Sequence, residues 1–190
     1  MAIFKYDQAE LDHLKKRDKK LGSAIEQIGM IEREVIPDLF KALVNSIVCQ
    51  QISGKAAATI WQRMQERLVE VTPQAIAAAS PEAIQTCGLS MRKARYIKGI
   101  GESVIQGEID LTSLHEMTDS EIIKNLSALH GIGKWTAEML LIFSLQRPDV
   151  VSWGDLGIRR GIMNLYGLKT LNKEQFDKYR KRYSPYGSVA

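Results

Sequence analysis

The residues best placed to do chemistry lie in LSALHGIGKWTAEMLLIFSL, positions 126–145, and in GDLGIRRG, positions 154–161. In the first stretch the turn His130-Gly131-Ile132-Gly133 separates two amphipathic segments. Two glycines flanking one apolar residue let the backbone take conformations closed to side chains, and Ile132 then plugs the groove between the helices. The amides of the turn are thereby left free. Together with the positive end of the following helix they make a site for a phosphate oxygen. An ordinary helical hairpin with a glycine turn would use the same residues without a ligand, and the pattern alone leaves both readings open. In the second stretch Asp155 directly precedes the helical pattern Leu156, Ile158, Ile162, Met163 and Leu165, about twenty residues past the turn. Taken alone, such a residue is most often the N-cap of the helix it introduces.

Positioning these segments calls for helices. Apolar residues recur at three and four, as in Leu39, Leu43, Ile47 and in Ile60, Met64, Leu68, while sustained alternation is nearly absent, so the fold class is all-α. Asp18, Asp38, Ser53, Ser90 and Thr118 each precede an amphipathic run, and Thr118 with Glu121 spells a capping box. Pro73 and Pro81 suit first helical turns, and the glycines divide the chain into about nine or ten short helices with brief connections. The hairpin's first helix is expected from about Asp119 to Leu129 and its second from near Lys134.

Composition narrows the class further. At 190 residues and 45% hydrophobic content the chain can bury a core without disulfide or metal staples. A net charge of +4 suits a polyanionic partner. Cys49 and Cys87, with His13, His115 and His130, show no metal-ligand or redox spacing, which argues against a zinc site or a disulfide framework. The N-terminus has no signal-type apolar stretch, and no segment approaches the roughly twenty apolar residues of a membrane span. A cytoplasmic protein, or a nuclear one in a eukaryote, is expected.

The LxGIGxWTA turn followed by GDLGIRRG, with SIVCQQISGKAA at 46–57 and GLSMRKARYI at 88–97, resembles the helix-hairpin-helix DNA glycosylase superfamily, nearest its 3-methyladenine DNA glycosylase II branch. The resemblance spans most of the chain. It implies one two-lobed helical domain over 1–190, with lobes of about 38–145 and of 1–37 plus 146–190, and an active site in the cleft between them. It also implies a monomeric base-excision-repair enzyme with no required cofactor, acting on double-stranded DNA that carries alkylated bases. Asp155 then takes the position of the family's catalytic aspartate. An N-alkylated purine is already a cationic leaving group, so a separate general acid is less necessary. A carboxylate below the sugar stabilises the oxocarbenium-like state left by bond breaking. Asp149, the other carboxylate nearby, reads as a loop residue.

Bifunctional relatives carry a Schiff-base lysine at the second position after the last hairpin glycine, where this chain has Trp135. Lys134 lies one residue earlier, a rotation of about 100° on a helix, so the resemblance implies a hydrolase without lyase activity. It places Trp135, with Met139 and Trp153, at the base pocket; core packing is the open alternative for Trp135 and the favoured reading for Trp153. The DNA-binding residues it implies are the insertion turn Gln50, Gln51, Ile52 and Ser53, the basic pair Arg92 and Lys93, and the hairpin residues His130, Gly131, Ile132, Gly133, Lys134 and Thr136. Gln51 is the preferred plug for the gap left by a flipped base. Backbone carbonyls of Ser127, Leu129 and Ile132 would hold a structural Na+ or K+. Departures from the family pattern are His130 where proline is usual, and an end at Ala190 where relatives continue into an aromatic helix. Two other readings remain: a non-catalytic hairpin protein that binds bent or damaged duplex, and an oxidised-base lyase. The second is opposed by Trp135 and by the lack of a four-cysteine cluster.

Overall fold

A computed structural model of the chain describes residues 2–190, and they are almost entirely helical. They divide into two compact units, Ile36–Leu140 and the remainder, formed by residues up to Val35 together with Leu141–Ala190. None of the described helices is long and apolar enough to cross a membrane.

The central unit contains α3 (Leu39–Cys49), α4 (Gly54–Leu68), α5 (Pro73–Ala78), α6 (Pro81–Gln85), α7 (Met91–Ile105), a 3-10 turn (Ser113–Glu116) and α8 (Asp119–Ser127). α9 (Lys134–Phe143) begins here, and within it the chain passes from one unit to the other. The helix starts marked in the sequence are capped as expected. Side chains of Asp38, Ser53, Thr72, Ser80, Ser90 and Thr118 each accept a backbone N–H of the first turn they precede. Leu43 and Ile47 of α3, Met64 of α4, Ile97 and Ile100 of α7 and Leu126 of α8 are fully buried. On α7, Gly101 lets α5 approach so closely that a Cβ would stand 2.6 Å from Ile76 Cγ2.

The second unit holds α1 (Gln8–Arg17), α2 (Lys19–Ile28), α10 (Leu156–Tyr166) and α11 (Lys173–Tyr183) around Leu14, Leu21, Val151, Ile162, Phe176 and Tyr183. Eleven α-helices are thus present among the described residues, where glycine punctuation predicts nine or ten. α1 and α2 are divided by Asp18 alone, which closes the first and caps the second without any glycine. A two-residue antiparallel pairing of β1 (Ala2–Ile3) with β2 (Glu34–Val35) also escapes the sequence pattern, being too short to alternate.

Asp18 also ties α10 into this unit. Buried to 5% exposure, it accepts from the backbone N–H groups of Lys20 and Leu21, from Tyr166 Oη at 2.7 Å and from Arg182 Nη1 at 2.7 Å. Burial pushes its carboxyl up, but the hydrogen bonds from Arg182, Leu21 and Tyr166 outweigh that and hold it below the usual aspartate value. A depressed folded-state value adds stability that is present above the unfolded value near 4 and lost as pH falls through the folded one. Asp18→Asn is therefore expected to cost about 2–3 kcal/mol at pH 7. Urea denaturation at pH 7 and pH 3 should show the gap from wild type closing at the lower pH, and a gap that widens there would contradict the assignment.

Candidate active site and nucleic-acid interface

The hairpin forms where the sequence places it. α8 ends at Ser127, Leu129 N–H donates to Leu126 O at 3.1 Å, and the turn closes when Ile132 N–H donates to Leu129 O at 3.1 Å. Ile132 is buried to 4% exposure and plugs the turn. Its amide, expected to be free, is spent on that closure. The N–H groups of Gly131, Gly133 and Lys134 donate no hydrogen bond among the described residues. They are the donors left for an anion at the start of α9.

The two glycines have different reasons. Gly131 has φ +90°, and a Cβ there would stand 2.6 Å from Tyr96 Cδ2 and 2.7 Å from Ile47 Cδ1. Only glycine meets both demands. Gly133 is exposed, lacks a positive φ, and has nothing within 4 Å of a built Cβ, so its bareness leaves open space beside the unbonded amides. His130 is exposed at the rim of a cavity of about 750 Å³ that it shares with Tyr96, their ring centroids 6.5 Å apart. Lys134 is exposed and lies 4.0 Å from Glu138, while Thr136, expected at the DNA, is buried to 8% exposure.

The insertion turn is bound to the hairpin. Gln50 closes α3, and its Nε2 donates to Gly131 O at 2.9 Å, so this side chain is committed inward. Gln51 is exposed with φ +57°, and Ile52 is 38% exposed, so the turn offers these two side chains to an outside partner. Ser53 is spent capping α4, accepting from Ala56 N–H at 3.3 Å. Lys93 departs from expectation. Rather than standing at the surface for a phosphate, its Nζ donates to Val48 O at 2.9 Å and to Gln50 O at 2.6 Å. Burial pushes its ammonium below the usual lysine value. Arg92 beside it stays exposed, as does Arg95 one turn on. Sequence reading missed Tyr96, whose ring closes on the bare face of Gly131, because no local pattern marks it.

Trp135, on the first turn of α9, is 47% exposed, which removes the core reading for it. Met139, one turn later on the same face, is partly buried. Trp153 is placed otherwise. It packs on the core of its unit edge-on to Phe176 at 5.1 Å, with the Arg159 guanidinium 4.9 Å and Lys173 Nζ 5.8 Å from its ring centre. A ring held in this way serves packing and leaves little face for a base.

Asp155 is the N-cap of α10, its Oδ1 accepting from Ile158 N–H at 3.0 Å, and it is partly buried. The cap bond fixes the carboxylate's orientation. Asp149 has both oxygens engaged, Oδ2 by Ser184 Oγ at 2.5 Å and Oδ1 by Gly187 N–H at 3.0 Å. These bonds pin the C-terminal segment and match its reading as a loop residue.

A glycine hairpin with unbonded amides and an insertion turn tied to it make a helix-hairpin-helix arrangement within the central unit. Comparison with known proteins agrees. The DNA-3-methyladenine glycosylase 1 of Schizosaccharomyces pombe is 34% identical over 156 residues, covering 80% of this chain and 68% of the relative. A DNA-3-methyladenine glycosidase from Bacillus halodurans superposes with a TM-score of 0.87 at 37% identity, covering 100% of this chain and 88% of that one. The S. pombe 3-methyladenine DNA glycosylase solved in complex with abasic DNA superposes with a TM-score of 0.80 at 29% identity, covering 96% and 92%. Residues 44–185 match the HhH-GPD superfamily of base excision DNA repair proteins, and the chain belongs to that superfamily.

Proposed function

We propose that the chain is a monofunctional DNA glycosylase that extrudes an alkylated purine from duplex DNA and hydrolyses its N-glycosidic bond, with Asp155 as the catalytic carboxylate. The observation that carries this reading is an aspartate oriented by its bond to Ile158 N–H, in a chain whose family repairs DNA by base excision. The amides of Gly131, Gly133 and Lys134 take phosphate oxygens, which positions the strand without reading its sequence. Arg92 and Arg95 add to the electrostatic attraction. Gln51, or Ile52 beside it, fills the gap as the target nucleotide rotates out at a cost of a few kcal/mol.

Once extruded, the cationic base stacks on the exposed face of Trp135, with Met139 alongside. The alkylated base leaves neutral, taking the electron pair of the broken C–N bond. Asp155 stabilises the positive charge that grows on the sugar and orients the water that attacks it. A proton from that water passes to solvent, and the product is an abasic site. Trp135 stands where lyases carry a nucleophilic lysine, so no imine forms and the strand is not cut. Ser127 O and Ile132 O accept no hydrogen bond among the described residues and Leu129 O accepts one, so all three keep lone pairs for a monovalent cation. Such an ion would stiffen the turn and take no part in bond breaking.

Incubation with globally methylated duplex DNA tests the reading. Free methylated purines should appear together with abasic sites in unbroken strands. A protein adduct trapped by borohydride would contradict the hydrolytic route, and tight binding without released base would point instead to a non-catalytic binding protein.

A further inference from the structure

We infer that Lys93 is a positioning residue: with Gln50 it latches the insertion turn to the hairpin, so that gripping the backbone and aiming the plug are one event. The inference deepens the base-flipping reading above and rests on it.

Three contacts build the latch, all within the central unit. Lys93 Nζ, from the first turn of α7, binds Val48 O and Gln50 O, the carbonyls that the end of α3 leaves without helical partners. Gln50 Nε2 then binds Gly131 O. Tyr96, one turn after Lys93, and Ile47 close on the bare face of Gly131 from opposite partners of the same junction, α7 and α3. Between these anchors only Gln51 and its neighbours remain exposed, and Gln51 is held at φ +57°, a conformation a non-glycine residue keeps only when its surroundings enforce it.

An ammonium with two of its three donors committed to carbonyls has one left for DNA. Charge-assisted bonds of this kind are roughly twice as strong as neutral ones, and these two hold a turn that has no regular secondary structure of its own. The consequence is a division of labour within GLSMRKARYI. Arg92 faces outward and serves attraction, whereas Lys93 faces inward and serves geometry.

The test separates grip from extrusion and needs no chemistry. Lys93→Met keeps the aliphatic stem and removes the ammonium, and Gln50→Ala breaks the second link at a half-buried turn. Affinity for undamaged duplex and its salt dependence report the grip. The fluorescence rise of 2-aminopurine at the target position, under saturating protein, reports extrusion. For both variants the rise is expected to fall by about threefold to tenfold, the outcome of a lost preference near 1 kcal/mol. Undamaged-duplex affinity should stay within about twofold, with an unchanged salt slope. A slope shallower by about 0.9 in Lys93→Met would make Lys93 a phosphate ligand and overturn the inference. So would equal losses in both readouts, or a fluorescence rise in both variants equal to that of wild type. Base release from methylated DNA is scored separately, so failure of the glycosylase reading and failure of the latch are distinguishable.

Discussion

Asp155→Asn is expected to slow the single-turnover release of methylated purine by about 10²–10³-fold, the usual loss when an electrostatic partner of the transition state is removed. The substitution isolates charge from structure. Asparagine is as good an N-cap as aspartate, and its side-chain oxygen can accept from Ile158 N–H as Asp155 Oδ1 does at 3.0 Å. α10 should therefore keep its start, and the melting temperature should move by no more than a few degrees. Affinity for abasic duplex should change little, because the hairpin and the insertion turn are proposed to supply it. A variant that retains the wild-type rate would remove Asp155 from the chemistry and leave it a cap. A variant with both rate and abasic-site affinity lost would point to misplacement of α10 instead.

The second large effect is expected at Gly131. Gly131→Ala puts a methyl group 2.6 Å from Tyr96 Cδ2 and 2.7 Å from Ile47 Cδ1, at a φ of +90° that alanine avoids. Backbone strain of roughly 1–3 kcal/mol and a similar overpacking cost add to about 2–6 kcal/mol, a large part of the stability of a typical domain. Either the central unit loses stability by this amount or Tyr96 and Ile47 move and the turn opens. In both cases duplex affinity falls. Gly133→Ala is the informative control. With nothing within 4 Å and no positive φ, it should leave the melting temperature nearly unchanged, yet place a methyl group beside the amides proposed to receive the phosphate. Loss of affinity without loss of stability at Gly133, against loss of both at Gly131, is the expected pair of results in denaturation and binding measurements. Equal effects at the two positions would contradict the roles given to them.

What the sequence makes legible follows the range of the interactions. Helix starts, the buried Ile132 and the cap at Asp155 are set by neighbours within four residues, and they stand where composition and spacing put them. The hairpin is legible for the same reason, although its internal bond from Ile132 N–H to Leu129 O and the different demands on Gly131 and Gly133 require coordinates. Long-range pairings leave no periodic trace. Gln50 meets Gly131 across 81 residues, Lys93 meets Val48 across 45, and Arg182 meets Asp18 across 164. Basic side chains are the least legible of all. A lysine at a helix start reads the same whether it faces solvent, a phosphate or, as Lys93 does, the carbonyls of another helix. For Trp153 the sequence favours core packing, as found, but adjacency to Asp155 does not reveal its partners Phe176, Arg159 and Lys173.

The role proposed for Asp155 is electrostatic: its carboxylate would stabilise positive charge developing on the sugar of the extruded nucleotide. The most direct measurement compares affinities for two duplexes that differ only at the target sugar, one carrying a neutral tetrahydrofuran and the other a cationic pyrrolidine. Transition-state mimics bind more tightly by at least about 10²-fold, so the wild-type chain should prefer the cation strongly, and Asp155→Asn should abolish most of that preference while leaving tetrahydrofuran affinity in place. A preference that persists in the variant, or that is absent in the wild type, would contradict the account.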